Sequence, residues 1–275
     1  ANSMFKQNVG KLTTDPNFEA GLQNQNNQAL SVQSALAFVE VAFVRNAPHL
    51  FPKEVSEVKF LKQWYKECME VVYYSAEMNF YLHMDPAFIS LVHTNATADN
   101  AWFWRNGEDE LECGLLDFGG CMFQHIAVNM MASWSCAEPQ MLRKHAPDLV
   151  RAFVDGCQEH GGPASITCEE MTTCIALAMA VNNAGVGGNA TQLLRLRPKE
   201  AWAKRESRWG PEEFLQRNYV CAMTAMLSMW KDLKLFTTFK TWRRKNQHWF
   251  PRRSPSRALR SLRSFSDGSR RARPP

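Results

Sequence analysis

The chain has 275 residues, of which 45% are hydrophobic and 21% charged, ordinary proportions for a globular protein. That length can bury a sizeable core as one large domain or two small ones, and the composition excludes collagen-like, coiled-coil and wholly disordered classes. The net charge of +5 conceals an uneven distribution: residues 240–275 hold twelve Lys and Arg against one acid, Asp267, a net of +11, so the remainder carries −6.

Residues 1–30 are polar, and 23–28 are almost wholly Gln and Asn, which predicts a loop or frayed end. Residues 31–44 have the spacing of a buried helix, and Pro48 and Pro52 follow as breaks. The longest helical pattern covers 54–82, where Val58, Leu61, Tyr65, Cys68, Val72, Ser75, Met78 and Leu82 recur every three or four residues. A different stretch comes next. Leu91-Val92 is short and apolar, and Trp102-Phe103-Trp104 and Cys113-Gly114-Leu115-Leu116 are joined across Asn106-Gly107, which predicts a β-hairpin.

Helical periodicity then returns over 138–159, with a possible break at Pro147 and a stop at Gly161-Gly162-Pro163. Thr167 and Glu170 form a capping box for a helix to about Asn182. Gly185-Val186-Gly187-Gly188-Asn189-Ala190 fits a relaxed dinucleotide fingerprint, but a helix precedes it rather than a strand, so a helix-ending loop is expected. Pro211-Glu212-Glu213 opens a helical run to Leu235, in which Met223, Met226, Met229 and Trp230 are core candidates. The expected fold class is mainly α with a small β-hairpin insert, organised as a polar segment (1–30), a helical body (31–239) and a basic disordered tail (240–275).

The tail, rich in Arg, Ser and Pro, is short of the apolar groups needed to offset the entropy of ordering. It reads as a solubilising extension, or as a segment for nucleic acid, an anionic surface or nuclear import. Ser254 and Ser256 lie among arginines, where phosphorylation would change the charge. No apolar run approaches the roughly 18 residues of a membrane span. The chain begins with Ala and shows no basic-then-apolar leader, as expected of a trimmed or partial chain. None of the eight cysteines forms a C-x-x-C pair, so free thiols in a reducing, intracellular compartment (cytoplasmic or nuclear) are expected. Cys121 and His125 would meet on a helix, but two further ligands for a metal are not in view.

Chemistry concentrates around the hairpin. His93-Thr94-Asn95-Ala96-Thr97-Ala98-Asp99-Asn100 precedes it, and Asp117-Phe118-Gly119 closes it. A hairpin returns the chain on itself, so the loop and Asp117 are expected to lie close together. An Asn carbonyl and an Asp carboxylate are hard oxygen ligands suited to Mg²⁺, and in phosphoryl transfer such a metal bridges the phosphates.

The arrangement resembles the catalytic and metal-binding loops of the aminoglycoside phosphotransferase and choline kinase-like family, whose pattern is His-Gly-Asp, four residues, Asn, then a hairpin ending in Asp. The resemblance is best over 88–134 and extends to a helical C-terminal lobe over 54–235. It implies a kinase-like lobe using Mg and ATP, with His93 as the motif histidine, Asn100 and Asp117 as metal ligands, and Asn95 at the position of the catalytic Asp. The chain departs from the family in several places. An Asn at 95 accepts no proton at neutral pH, and loss of a general base costs about 10²- to 10⁴-fold in rate. Asp99 is a nearby substitute. Thr94 replaces the motif Gly, where a positive φ would strain a β-branched residue. Gln124-His125 and Asn129 stand where the family has acidic residues, and the 92 residues before His93 hold no run of alternating strands for a nucleotide lobe. Three functions follow: a degenerate kinase-like module binding a protein or small molecule, an active small-molecule phosphotransferase, or a helical interaction module with a nucleic-acid-binding tail.

Overall fold

A computed structural model describes residues 32, 46–135, 137–183, 192–204 and 210–250. The pattern over 54–82 divides into three helices: α1 (Lys53–Ser56), α2 (Val58–Tyr73) and α3 (Ser75–His83). The breaks are backbone events, Glu57 being extended at φ −70° and ψ 130° and Tyr74 leaving helical geometry at φ −107° and ψ 12°. Helix α2 buries Leu61, Trp64, Cys68, Val71 and Val72, so its inner stripe runs through Trp64 rather than Tyr65, while Val58 is exposed.

Two nested antiparallel pairs follow. Strand β1 (Ile89–His93) pairs with β4 (Cys121–His125), and between them β2 (Ala101–Arg105) pairs with β3 (Leu111–Leu115). The β2–β3 hairpin matches the sequence expectation, whereas the β1–β4 pair was not foreseen. Its turn also differs from a two-residue Asn-Gly turn. The Asn106 side chain accepts from the amides of Glu108 and Glu110, both at 3.0 Å. The left-handed residue is Asp109 at φ 60°. An Asx-type loop of five residues therefore replaces the tight turn.

The remaining elements are α4 (Ala127–Trp134), α5 (Pro139–Glu159), α6 (Cys168–Asn182), α7 (Lys199–Ala203), α8 (Phe214–Asp232) and α9 (Leu235–Asn246). Pro147 lies inside α5 without ending it, because Leu142, Ala146, Val150 and Val154 bury one face on both sides of the lost hydrogen bond. The Thr167 hydroxyl accepts from the Glu170 amide at 3.1 Å and caps α6 as expected. Helix α6 is apolar nearly all round from Cys174 to Ala180 and packs against α2, α3, α4, α5 and α9, which makes it the central helix. Met223, Met226, Met229 and Trp230 are buried.

The expected tail boundary at 240 is corrected. Helix α9 continues to Asn246, with Phe239 fully buried and Trp242 3% exposed. The Arg243 guanidinium lies 5.5 Å over the Tyr74 ring and 5.7 Å over Phe239, and pairs with Glu70. Lys240, Arg243, Arg244 and Lys245 are therefore the polar face of a packed helix, and their charge hid its aromatic stripe. The expectations over 1–30, 33–44, 185–190 and 251–275 lie outside the described residues. Among the described residues, no strand precedes β1, and no helix is long and apolar enough to cross a membrane.

Candidate functional site

Strand β1 delivers His93 into the interior at 5% exposure. Its Nε2 lies 2.7 Å from the Leu116 carbonyl oxygen, and its Nδ1 accepts from the Asn95 amide at 3.3 Å. The two contacts together select the neutral ring with its proton on Nε2. The His93 amide donates to Asn129 Oδ1 at 3.0 Å, which ties the strand end to α4. Thr94 is not strained: among the described residues positive φ at non-glycine positions occurs at Asp109, Asp117 and Lys234. Its hydroxyl instead donates to the Gly120 carbonyl at 2.7 Å, bridging the loop to the segment after Asp117.

Asn100 and Asp117 are brought together by backbone. The Leu116 amide donates to the Asn100 carbonyl at 2.8 Å, so Asp117 follows directly on that contact. The Asn100 side-chain amide donates to the Asn95 carbonyl at 2.8 Å, which closes the loop across five residues. Asp117 itself is left-handed at φ 56° and ψ 60° and exposed. Strain of this kind persists where surrounding contacts hold it and tends to gather at functional loops. Asn95 and Asn100 thus share one rim, with His93 beneath them as a structural tie, and Asp117 follows the residue that meets Asn100.

An open cavity of about 410 Å³ adjoins this rim, lined by Asn95, Asp99, Asn100, Asn182, Asn218 and Tyr219 among others. Asp99 lines the same space as Asn95, and its carboxylate lies 3.9 Å from the Arg217 guanidinium. Three of these residues, Asn182, Asn218 and Tyr219, come from α6 and from α8, and local sequence carries no signal for them. Apart from the Asp99 carboxylate, the polar lining groups named here are neutral amides and a hydroxyl, which can hydrogen-bond a polar small molecule.

Cys121 and His125 sit on strand β4, not on a helix. Four residues of strand separate them by roughly 13 Å, which removes the pair as a metal site. His125 is buried instead, stacked on Phe88 with centroids 5.4 Å apart, and its Nδ1 accepts from the Ala127 amide at 3.1 Å. Burial, helped by the His83 charge, lowers its pKa to about 4. The seven described cysteines are free, and burial pushes the Cys174 thiol up to about 12. Among the described residues, no group of three or more His, Cys, Asp or Glu side chains is placed to hold a metal ion. No family model matches the chain, and neither a curated protein nor a solved structure does.

Proposed function

We propose that the chain is a degenerate kinase-like module resembling the aminoglycoside phosphotransferase and choline kinase-like family, with weak or no phosphoryl transfer. The observation that carries this reading is the hydrogen-bonded loop joining Asn95, Asn100 and Leu116 beside Asp117, with an amide at 95 where the resembled chemistry calls for a carboxylate. Asn100 Oδ1 and the Asp117 carboxylate are oxygen donors whose chemistry fits Mg²⁺. With Mg·ATP bound, the metal and nucleotide would supply the transferable phosphoryl group and neutralise its charge. Asn95 would orient a substrate hydroxyl by hydrogen bonding and leave its proton in place. The described stretch before β1 is helical, so the chain's own described residues offer no second wall for a nucleotide.

A second reading, an active small-molecule phosphotransferase, is favoured by one feature: Asp99 lines the cavity beside Asn95 and is the carboxylate there. Phosphoryl transfer depends chiefly on positioning and charge, so a displaced carboxylate is compatible with slow turnover.

Thermal melting of the full chain with millimolar Mg·ATP separates the two. The degenerate reading expects no marked upward shift in Tm and γ-phosphate release close to background. A large nucleotide-dependent rise in Tm together with phosphate release far above background that Asp117→Ala abolishes would sink it and support the active enzyme.

A further inference from the structure

The β2–β3 hairpin stands away from the body of the fold with an open edge. Among the described residues, β3 packs on β2 and on no other element to a comparable extent, and its Leu111, Glu112, Cys113 and Leu115 are exposed. A two-stranded ribbon is at best marginally stable in water, and further strands are the ordinary remedy.

The ladder fixes which backbone groups are unused. The Leu116 amide donates to the Asn100 carbonyl, and the Asn106 amide donates to the Glu110 carbonyl. With the register running from Ala101↔Leu115 to Arg105↔Leu111, alternation makes Trp102↔Gly114 and Trp104↔Glu112 the hydrogen-bonded pairs. Leu111, Cys113 and Leu115 therefore turn their N–H and C=O groups away from β2, and among the described residues those groups have no partner. The outer edge of β2 is already taken in part, because the Ala101 amide donates to the Ala98 carbonyl. Natural sheet edges are blunted by Lys, Pro, a bulge or a covering element. Strand β3, Leu-Glu-Cys-Gly-Leu, has none of these.

We infer that β3 pairs antiparallel with β3 of a second copy about a two-fold axis at Cys113, making one four-stranded sheet in the order β2-β3-β3-β2. The strand's own sequence selects this occupant and this register. Pairing centred on Cys113 engages all three outward residues and sets Leu111 opposite Leu115 of the second copy, so the two apolar edges meet across the axis. Glu112 then faces Gly114 of the second copy rather than another carboxylate. Centring one residue earlier sets Glu112 opposite Glu112, a like-charge pair. Centring one residue later sets Leu111 opposite Asp117, whose left-handed φ of 56° does not continue a strand. The inference is independent of the phosphotransferase reading.

Sedimentation equilibrium of the full chain over about 10–500 µM tests it, with residue-resolved amide exchange at both ends of that range. A weak monomer–dimer equilibrium is expected, since five residues of edge make a small interface. Exchange of the Leu111, Cys113 and Leu115 amides should slow with concentration, while that of Phe103 stays fixed. Cys113→Pro removes an outward amide and spares the β2–β3 ladder, so it should raise the dissociation constant at least about tenfold. A Cβ at position 114 meets the Trp104 ring at 3.2 Å, a cost that Gly114→Glu and Gly114→Lys share. The first sets a like charge opposite Glu112 and the second an opposite charge, so Gly114→Lys should dimerise about fivefold more tightly than Gly114→Glu, by a margin that high salt narrows. A chain that stays monomeric throughout the range overturns the proposal. So does a dimer that Cys113→Pro leaves unweakened, or one in which Gly114→Glu and Gly114→Lys associate equally, since either places the interface elsewhere.

Discussion

The Nε2 of His93 lies 2.7 Å from the carbonyl oxygen of Leu116, the residue before Asp117. With Nδ1 accepting from the Asn95 amide, one buried ring holds the loop on one side and the hairpin exit on the other. Replacing it by Leu leaves the Leu116 carbonyl and the Asn95 amide without their partner, at a cost of about 1–3 kcal/mol. The expected outcome for His93→Leu is a lower urea midpoint together with faster amide exchange in residues 116–120, whereas a mutation elsewhere of equal cost would leave that local exchange unchanged.

His125 makes stability depend on pH. Its folded pKa of about 4 lies below the ordinary 6.5 because burial disfavours the charged ring. The unfolded chain therefore binds the proton more readily between those two values, and stability falls as pH drops from 6.5 towards 4, then levels off. The shift corresponds to roughly 3 kcal/mol lost across that window. His125→Asn keeps an acceptor for the Ala127 amide and removes the titration. Urea denaturation of native chain and variant from pH 7 to pH 4 should show a steeper decline in the native chain, and parallel declines would refute the assignment.

Asp117 sits at φ 56°, a conformation in which a Cβ is crowded. Asp117→Gly relieves this and is expected to stabilise the folded state by about 1 kcal/mol. Thermal melting without added nucleotide or metal measures the effect. An unchanged or lower Tm would mean that the Asp side chain contributes more to the loop than its backbone costs.

The fold boundary lies after Trp242, not at 240. A chain ending at residue 239 loses Trp242, whose ring meets Tyr81 at 5.6 Å and Phe250 at 5.3 Å. Loss of a buried aromatic of this size costs about 3–5 kcal/mol, a large fraction of the total for an ordinary domain. Circular dichroism should show a chain ending at 239 largely unfolded or melting far below one ending at 250.

Much of the helical body was legible in the sequence because helix signals are local. Thr167 and Glu170 lie three residues apart, and their cap is made between neighbours. The methionine stripe of α8 and the hairpin strands were legible for the same reason. The β1–β4 pair was not, since its partners are separated by the whole inner hairpin and Cys-Met-Phe-Gln-His carries no alternation to announce it. The breaks at Glu57 and Tyr74 were hidden as well, because the apolar period continues through both.

For the candidate site, the sequence by itself determined the order and spacing of His93, Asn95, Asn100 and Asp117, and the amide at 95. Only the tertiary structure decided what those residues touch. It set His93 under Leu116, tied Asn100 to Asn95 and Thr94 to Gly120, and brought Asn182, Asn218 and Tyr219 to the cavity. Periodicity and charge along a chain report which side of an element is buried or wet. They do not report which distant element covers it, and that choice depends on long-range packing.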